Sequence, residues 1–115
     1  MNSEKLLEDY LRHLRDERRL SPHTLSAYRR DLRLFLDYCD RGSIELAALD
    51  SYAVRQFAAE CHRRGLSPRS IARRLSAVRW CLGYLVQHDA MNSNPAVGVQ
   101  APKPARRLPA TLDTD

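Results

Sequence analysis

A three-residue pattern that starts helices occurs twice in this chain, at Leu20-Ser21-Pro22 and at Leu66-Ser67-Pro68. Serine is a favoured N-cap, and proline suits the first helical position, where the backbone N–H has no intrahelical partner. In each copy the leucine is followed five residues later by an apolar residue, Leu25 or Ile71, at the spacing of a hydrophobic staple. The repeat therefore predicts two helix starts and two helical hairpins of similar build.

Apolar side chains recur at helical spacing in four stretches of the sequence. The first runs from Glu4 to about Arg18, and the second runs from Pro22 to Arg41. The third is capped by Asp50 and ends at Gly65, which suits a left-handed C-cap, and the fourth runs from Pro68 to near residue 88. One hairpin cannot bury its apolar stripe alone, so the predicted fold is all-α: a four-helix bundle of two helical hairpins.

The length of 115 residues fits one small domain, and the composition changes near its end. Asn92-Ser93-Asn94-Pro95 stops a helix, and prolines then follow with little apolar periodicity. We therefore predict a domain over 1–90 and an interdomain linker over 91–115, mobile from Pro95 to Thr111 and leading to a further domain.

The chain has a formal net charge of +5, and the excess concentrates in the fourth helix and the turn before it. No acidic residue stands between Glu60 and Asp89, whereas arginine is frequent there. An arginine face without compensating acids is a candidate for phosphate contact. The alternative is a solvated arginine face, and Arg74, on the flank of the apolar stripe, could instead be held by a neighbouring helix.

Further candidates for phosphate contact lie in the first turns of the second and fourth helices, where free N–H groups favour anions. Thr24 could donate to a phosphate or only join the capping network. Asp31 and Asp37 reduce the net positive charge of the second helix. The first helix carries charges of both signs and is not assigned to nucleic acid. The predicted DNA-binding residues are Thr24, Arg29, Arg30, Arg33, Arg69, Ser70, Arg73, Arg74 and Arg79.

Trp80 lies opposite the apolar stripe of its helix by helical phase. It could sit under the linker, touch a further domain or approach DNA.

The sequence offers no signal for a metal site, a cofactor or a membrane segment. Cys39, Cys61 and Cys81 are widely spaced and fall on apolar faces, which is typical of free buried thiols in a reducing cytosol. The histidines show no pairing that suggests a metal or a general base, and no apolar run is long enough to cross a bilayer. The tyrosines lie mostly on core stripes and lack a basic cluster around them, so no catalytic residue is predicted.

Several short stretches, in this order and spacing, form a recognisable set. They are Leu20-Ser21-Pro22-His23-Thr24-Leu25 with Tyr28, Asp31 and Leu32, then Arg74-Leu75-Ser76-Ala77-Val78-Arg79, Tyr84-Leu85, Asn94-Pro95-Ala96, Ala101-Pro102-Lys103 and Leu108-Pro109. In these features the chain resembles the N-terminal core-binding domain of tyrosine recombinases (the phage integrase family) of the Xer type, and its tail is more similar to the XerC branch than to the XerD branch.

The resemblance implies a SAM-like helical domain that closes on DNA together with a catalytic domain carrying the tyrosine nucleophile. It implies a role in resolving chromosome dimers by strand exchange in the bacterial cytoplasm. The partners would be a double-stranded DNA half-site and paired, XerD-like recombinase protomers, with no membrane, cofactor or small-molecule substrate. The second and fourth helices would approach the major groove. Two alternatives stay open: the same domain of a phage or transposon integrase, and a helical protein–protein adaptor with a basic face.

Overall fold

A computed structural model of the protein describes residues 3–101, which form four α-helices and contain no strand. The helices are α1 (Ser3–Glu17), α2 (Pro22–Arg41), α3 (Ser51–Arg63) and α4 (Pro68–Gln87), and a short 3-10 helix (Leu46–Ala48) precedes α3. The predicted all-α architecture is confirmed, and each predicted helix boundary is met within two residues.

The predicted helix caps form as the sequence indicates. The side chain of Ser21 accepts a hydrogen bond from the backbone N–H of Thr24, and Ser67 does the same for Ser70, both at 3.2 Å. Asp50 accepts from the N–H of Ala53 at 2.9 Å. The starts of α2, α3 and α4 are therefore fixed by residues within three positions of them.

The turn between α3 and α4 needs its glycine. Gly65 takes a φ of 89°, a left-handed conformation that glycine adopts without a Cβ penalty. Its N–H donates to the carbonyl of His62 at 3.0 Å, and the N–H of Leu66 donates to the carbonyl of Cys61 at 3.1 Å. This Schellman motif satisfies the last carbonyls of α3 and reverses the chain into α4.

Pairs of contacting side chains show the relative directions of the helices. Glu4 meets Arg33 and Glu8 meets Arg29, so α1 and α2 are antiparallel. The His13 ring meets the His88 ring edge-on and Arg18 lies over Trp80, so α1 and α4 are antiparallel as well. It follows that α2 and α4 run in the same general direction, with their N-terminal turns toward the same end of the domain.

The core lies between the apolar stripes that the sequence predicts. Its aromatic centre is formed by Phe35 of α2 and Phe57 of α3, whose ring centroids are 5.1 Å apart in an edge-on arrangement. Tyr38 packs 5.3 Å from Phe57 and donates its hydroxyl hydrogen to the carbonyl of Ala53. On the other side of the domain, Tyr10 of α1 packs 5.1 Å from Tyr84 of α4.

The packed unit extends past the predicted boundary at residue 90. Ala96 and Val99 are buried in the same core as the helices. Asn94 donates its side-chain N–H to the carbonyl of Arg79 in α4 at 2.9 Å and accepts from the N–H of Ala96 at 3.0 Å. The sequence predicts a linker from residue 91 that is mobile from Pro95, yet Ala96 and Val99 pack in the core. Two small apolar residues produce no periodicity to read, so the sequence does not predict this packing. The rest of the predicted linker, residues 102–115, lies outside the described residues.

The cysteines are free and buried, as predicted. Burial raises the pKa of the Cys81 thiol to about 12 and, with a smaller effect from Asp40, raises that of Cys39 to about 11. Because the thiolate is the reactive form, these thiols are largely protonated and inert in the folded chain.

We therefore expect a disulfide reagent such as DTNB at pH 8 to modify the native chain slowly and to titrate all 3 cysteines at once after unfolding in urea. The rate should follow global opening, and so should rise as denaturant is added. Rapid labelling of Cys39 or Cys81 in the native chain, identified by peptide mass, would contradict the burial described here.

Candidate nucleic-acid interface

The outward face of α4 carries both arginine and tryptophan. At 100° per residue, Arg69, Arg73, Ser76 and Trp80 fall within about 60° of one another, directly opposite the buried stripe. Arg69, Arg73 and Trp80 are exposed and Ser76 is half-buried. The sequence-predicted arginine face of α4 therefore exists, and Trp80 continues it toward the C-terminal end of the helix.

Arg73 on this face is held by a carboxylate from another helix. Asp31 of α2 is 1% exposed, the one buried charged side chain among the described residues. It accepts two hydrogen bonds from Arg73, from Nε at 3.1 Å and from Nη2 at 3.0 Å. These hydrogen bonds and the attraction of the carboxylate raise the pKa of Arg73, whose side chain is still 53% exposed.

Arg74 also faces Asp31, from the flank of α4. Its Nε lies 3.5 Å from Asp31 Oδ1, within ion-pair distance but without a hydrogen bond. Its Nη1 points to the sulfur of Cys61 at 3.8 Å, and the side chain is only 18% exposed. The alternative in which a neighbouring helix holds Arg74 is confirmed.

The expectation that the α4 arginines lack compensating acids is therefore wrong for Arg73 and Arg74. It rested on the sequence between Glu60 and Asp89, whereas the compensating carboxylate comes from Asp31, 42 residues before Arg73. A hint was present in the sequence, since Asp31 lies four residues before Phe35 and beside Leu32, on the flank of the apolar stripe of α2.

Two of the predicted arginines of α2 pair with acids of α1. Arg29 donates from both terminal nitrogens to Glu8, and Arg33 donates to Glu4 from Nη1 at 2.6 Å and from Nη2 at 3.0 Å. The hydrogen bonds from Arg33 lower the pKa of Glu4. The acids of α1 therefore neutralise this edge of α2.

The hydroxyl groups of Thr24 and Ser70 belong to the caps. Thr24 Oγ1 lies 3.0 Å from Ser21 Oγ, and Ser67 Oγ donates to Ser70 Oγ at 3.2 Å. The capping role that the sequence allowed for Thr24 is present, and both hydroxyls stay near the free N–H groups of their helix starts.

Three predicted arginines have guanidinium groups without a partner in the part of the chain that the structure describes. Within residues 3–101, no carboxylate or hydrogen-bond acceptor engages the guanidinium of Arg30, Arg69 or Arg79. Arg30 and Arg69 are exposed and Arg79 is half-buried. These three positive charges, on α2 and α4, are the available ones in the predicted set.

One groove opens beside this surface, between the C-terminal half of α1 and the second half of α4. It has a volume of about 350 Å³, and its walls include Arg18, Arg79, Trp80, Tyr84 and Asn94. The guanidinium carbon of Arg18 lies 5.8 Å from the centre of the Trp80 ring, in cation–π contact. Sequence reasoning missed Arg18, because the mixed charges of α1 favoured a solvated face.

Other kinds of site find no support in the part of the chain that the structure covers. No group of three histidine, cysteine or acidic residues in it is placed to hold a metal ion. None of the four helices combines the length and hydropathy needed to cross a bilayer.

Comparison with known proteins matches this helical, arginine-bearing domain to one family. The family model described as "Phage integrase, N-terminal SAM-like domain" covers residues 7–89. This chain belongs to that family. The match includes all of α2, α3 and α4 with the arginines discussed above, and the family's SAM-like fold agrees with the helices seen here.

The curated relatives of this integrase domain are longer proteins named "Tyrosine recombinase XerC". One from Pseudomonas fluorescens is 50% identical over 113 residues, which is 97% of this chain and 38% of the relative. One from Xanthomonas campestris pv. campestris is 46% identical over 110 residues, 95% of this chain and 34% of the relative. The chain thus spans little more than a third of the relatives it matches.

A solved structure shares the fold of this integrase domain. It is the N-terminal domain of a phage integrase/site-specific recombinase from Haloarcula marismortui, with a TM-score of 0.75 and 18% sequence identity. The similarity covers 89% of this chain and 97% of that one. The resemblance drawn from the sequence, to the Xer-type tyrosine recombinases and their helical N-terminal domain, is confirmed.

Proposed function

We propose that this chain is the DNA-binding N-terminal domain of a site-specific tyrosine recombinase. The observation that carries the proposal is the surface formed by α2 and α4, where Arg30, Arg69 and Arg79 present guanidinium groups that no carboxylate of residues 3–101 engages. Such groups bind backbone phosphates and release counterions when they do so. Thr24 and Ser70 lie in first turns whose N–H groups and dipole favour the same ligand.

The remaining predicted residues take supporting places in this interface. Arg73 reaches a phosphate only from its outer side, because Asp31 occupies its Nε and Nη2. Arg74 supports the interface from within, and Arg29 and Arg33 stand at its edge, where they are bound to α1. Phosphate contacts then set the register of the domain on the duplex, and side chains of α2 and α4 reach base edges in the major groove.

We infer further that the parent protein resolves chromosome dimers in the bacterial cytoplasm with a XerD-like partner. The support is the sequence identity of 46–50% to proteins named XerC, over 95–97% of this chain. In this proposal residues 91–115 lead to a catalytic domain that supplies the nucleophile, and the integrase of a phage or transposon would differ in its DNA site.

The test is binding of the 115-residue chain to fluorescent duplexes selected from a randomised pool, measured by anisotropy over a range of salt concentrations. Arg69→Gln and Arg79→Gln should each weaken binding and lower the slope of log K against log salt by about 0.9, because each removes one phosphate contact. The matched control is Arg12→Gln on α1, where Asp9 already pairs with Arg12 at 3.1 Å.

The control variant should keep both the affinity and the slope of the parent chain. If no selected duplex binds with salt dependence, the chain is not a DNA-binding domain. If Arg12→Gln loses as much slope as the α4 variants, the DNA surface lies elsewhere on the domain.

A further inference from the structure

The groove between α1 and α4 has the charge and shape of an anion site. Two arginines line it, Arg18 directly after α1 and Arg79 from α4, and no acidic residue among the described ones does. Neither guanidinium has a carboxylate partner within residues 3–101. Two uncompensated guanidinium groups on one groove favour a single anion between them, because a phosphate accepts charge-assisted hydrogen bonds from both.

Trp80 fixes one of these arginines in place. Its indole is 57% exposed, although it is the largest apolar side chain in the protein. The Arg18 guanidinium lies over the indole, 5.8 Å from its centre, and Arg18 itself is an exposed residue. An arginine restrained in this way loses less side-chain entropy when it binds a ligand.

The groove is continuous with the surface proposed to bind DNA. Trp80 stands about 10 Å further along α4 than Arg73, two helical turns away on the same outward face. Phosphates follow one another along each DNA strand about every 3.4 Å of helix axis, so a duplex on α4 would carry several of them along the path toward the groove. This continuity favours DNA over an acidic protein segment.

We propose that Arg18, Arg79 and Trp80 form a phosphate site that extends the DNA interface onto α1. Arg18 and Arg79 bind a backbone phosphate of the duplex, and Trp80 is a positioning residue that holds Arg18. The inference rests on the proposed DNA-binding function and adds to it a contact from the residue that follows α1, a helix whose own arginines are paired with acids.

The single tryptophan makes the site directly observable. Titration of the full chain with a selected duplex should change Trp80 emission, with the same salt dependence as the anisotropy signal. Arg18→Gln should weaken binding by roughly fivefold and lower the salt slope by about 0.9, whereas Arg12→Gln should do neither.

Three further variants distinguish a positioning role of Trp80 from a direct contact between Trp80 and DNA. Trp80→Phe keeps an aromatic face and should retain most of the affinity, whereas Trp80→Ala should weaken binding. The double variant Arg18→Gln/Trp80→Ala should bind no more weakly than Arg18→Gln alone, since Trp80 acts through Arg18. Additive losses would overturn the positioning role.

The remaining outcomes distinguish the phosphate site from the DNA-binding function on which it rests. If the parent chain binds duplex but Arg18→Gln leaves affinity and slope unchanged, the phosphate site is wrong while the DNA-binding function stands. If a polyglutamate peptide changes Trp80 emission and duplex does not, the groove binds acidic protein and the proposal is overturned. If no duplex binds at all, the DNA-binding function itself fails.

Discussion

Replacing Phe57 by alanine is expected to lower the free energy of unfolding by about 3–5 kcal/mol. Phe57 is 2% exposed, and its ring packs against Phe35 at 5.1 Å and Tyr38 at 5.3 Å. Truncation removes the transfer free energy of the ring and leaves a cavity between α2 and α3 that neighbouring helices cannot fill. Because small domains are stable by only about 5–15 kcal/mol, this is a large fraction of the total.

Urea unfolding followed by circular dichroism measures the effect. The matched control is Tyr52→Ala on the same helix, which truncates an aromatic side chain that is 62% exposed. That variant should change the free energy of unfolding by no more than about 0.5 kcal/mol. Equal losses in the two variants would contradict the placement of the core between α2 and α3.

The second large effect is expected at the buried carboxylate. Asp31→Ala should destabilise the domain by about 2–3 kcal/mol, because it leaves Arg74 beneath the surface without its carboxylate. The estimate stays at the low end of the range for buried pairs, since Arg73 is 53% exposed and can turn to water. Arg74→Gln should also lower the free energy of unfolding, because it removes one of the two arginines that neutralise the buried carboxylate of Asp31.

The control for this prediction is an ion pair of similar geometry at the surface. Arg33→Gln breaks the bidentate pair with Glu4, whose side chains are 42% and 55% exposed. Its cost should be below about 1 kcal/mol, as measured by the same urea titration. If Asp31→Ala costs no more than Arg33→Gln, the buried ion pair does not contribute as described.

The ion pairs of Asp31 also affect how a loss of DNA binding in an arginine variant is interpreted. Arg73→Ala removes a possible phosphate contact and at the same time leaves the carboxylate of Asp31 with Arg74 as its remaining partner. A loss of DNA binding in that variant therefore mixes interface and stability. Arg69 and Arg79 avoid this problem, since no protein carboxylate depends on them within residues 3–101.

The sequence predicted the helices because their starts and ends depend on nearby residues. Ser21, Ser67 and Asp50 cap helices through N–H groups three positions away, and Gly65 reverses the chain through its own φ. The apolar stripes are equally local, because a helix repeats every 3.6 residues whatever lies opposite. All-α class, helix bounds and the pairing of neighbouring helices follow from such information.

The family could also be recognised from the sequence. The stretches around Leu20–Leu25 and Arg74–Arg79 keep their order and spacing, and the matched region of residues 7–89 contains both. The roles of individual arginines could not be predicted in the same way, because composition reports how many charges a helix carries and not which of them have partners.

Tertiary structure decided which charges are free and what surrounds them. Asp31 reaches Arg73 across 42 positions, Glu4 reaches Arg33 across 29, and Arg18 lies over the ring of Trp80, which belongs to a helix far along the chain. Ala96 and Val99 join the core although no periodicity marks them. The sequence by itself determined the helices, since capping and periodicity act within a few residues. Only the packing of α1 and α2 against α4 determined the interface, since an ion pair or a groove exists where distant segments meet.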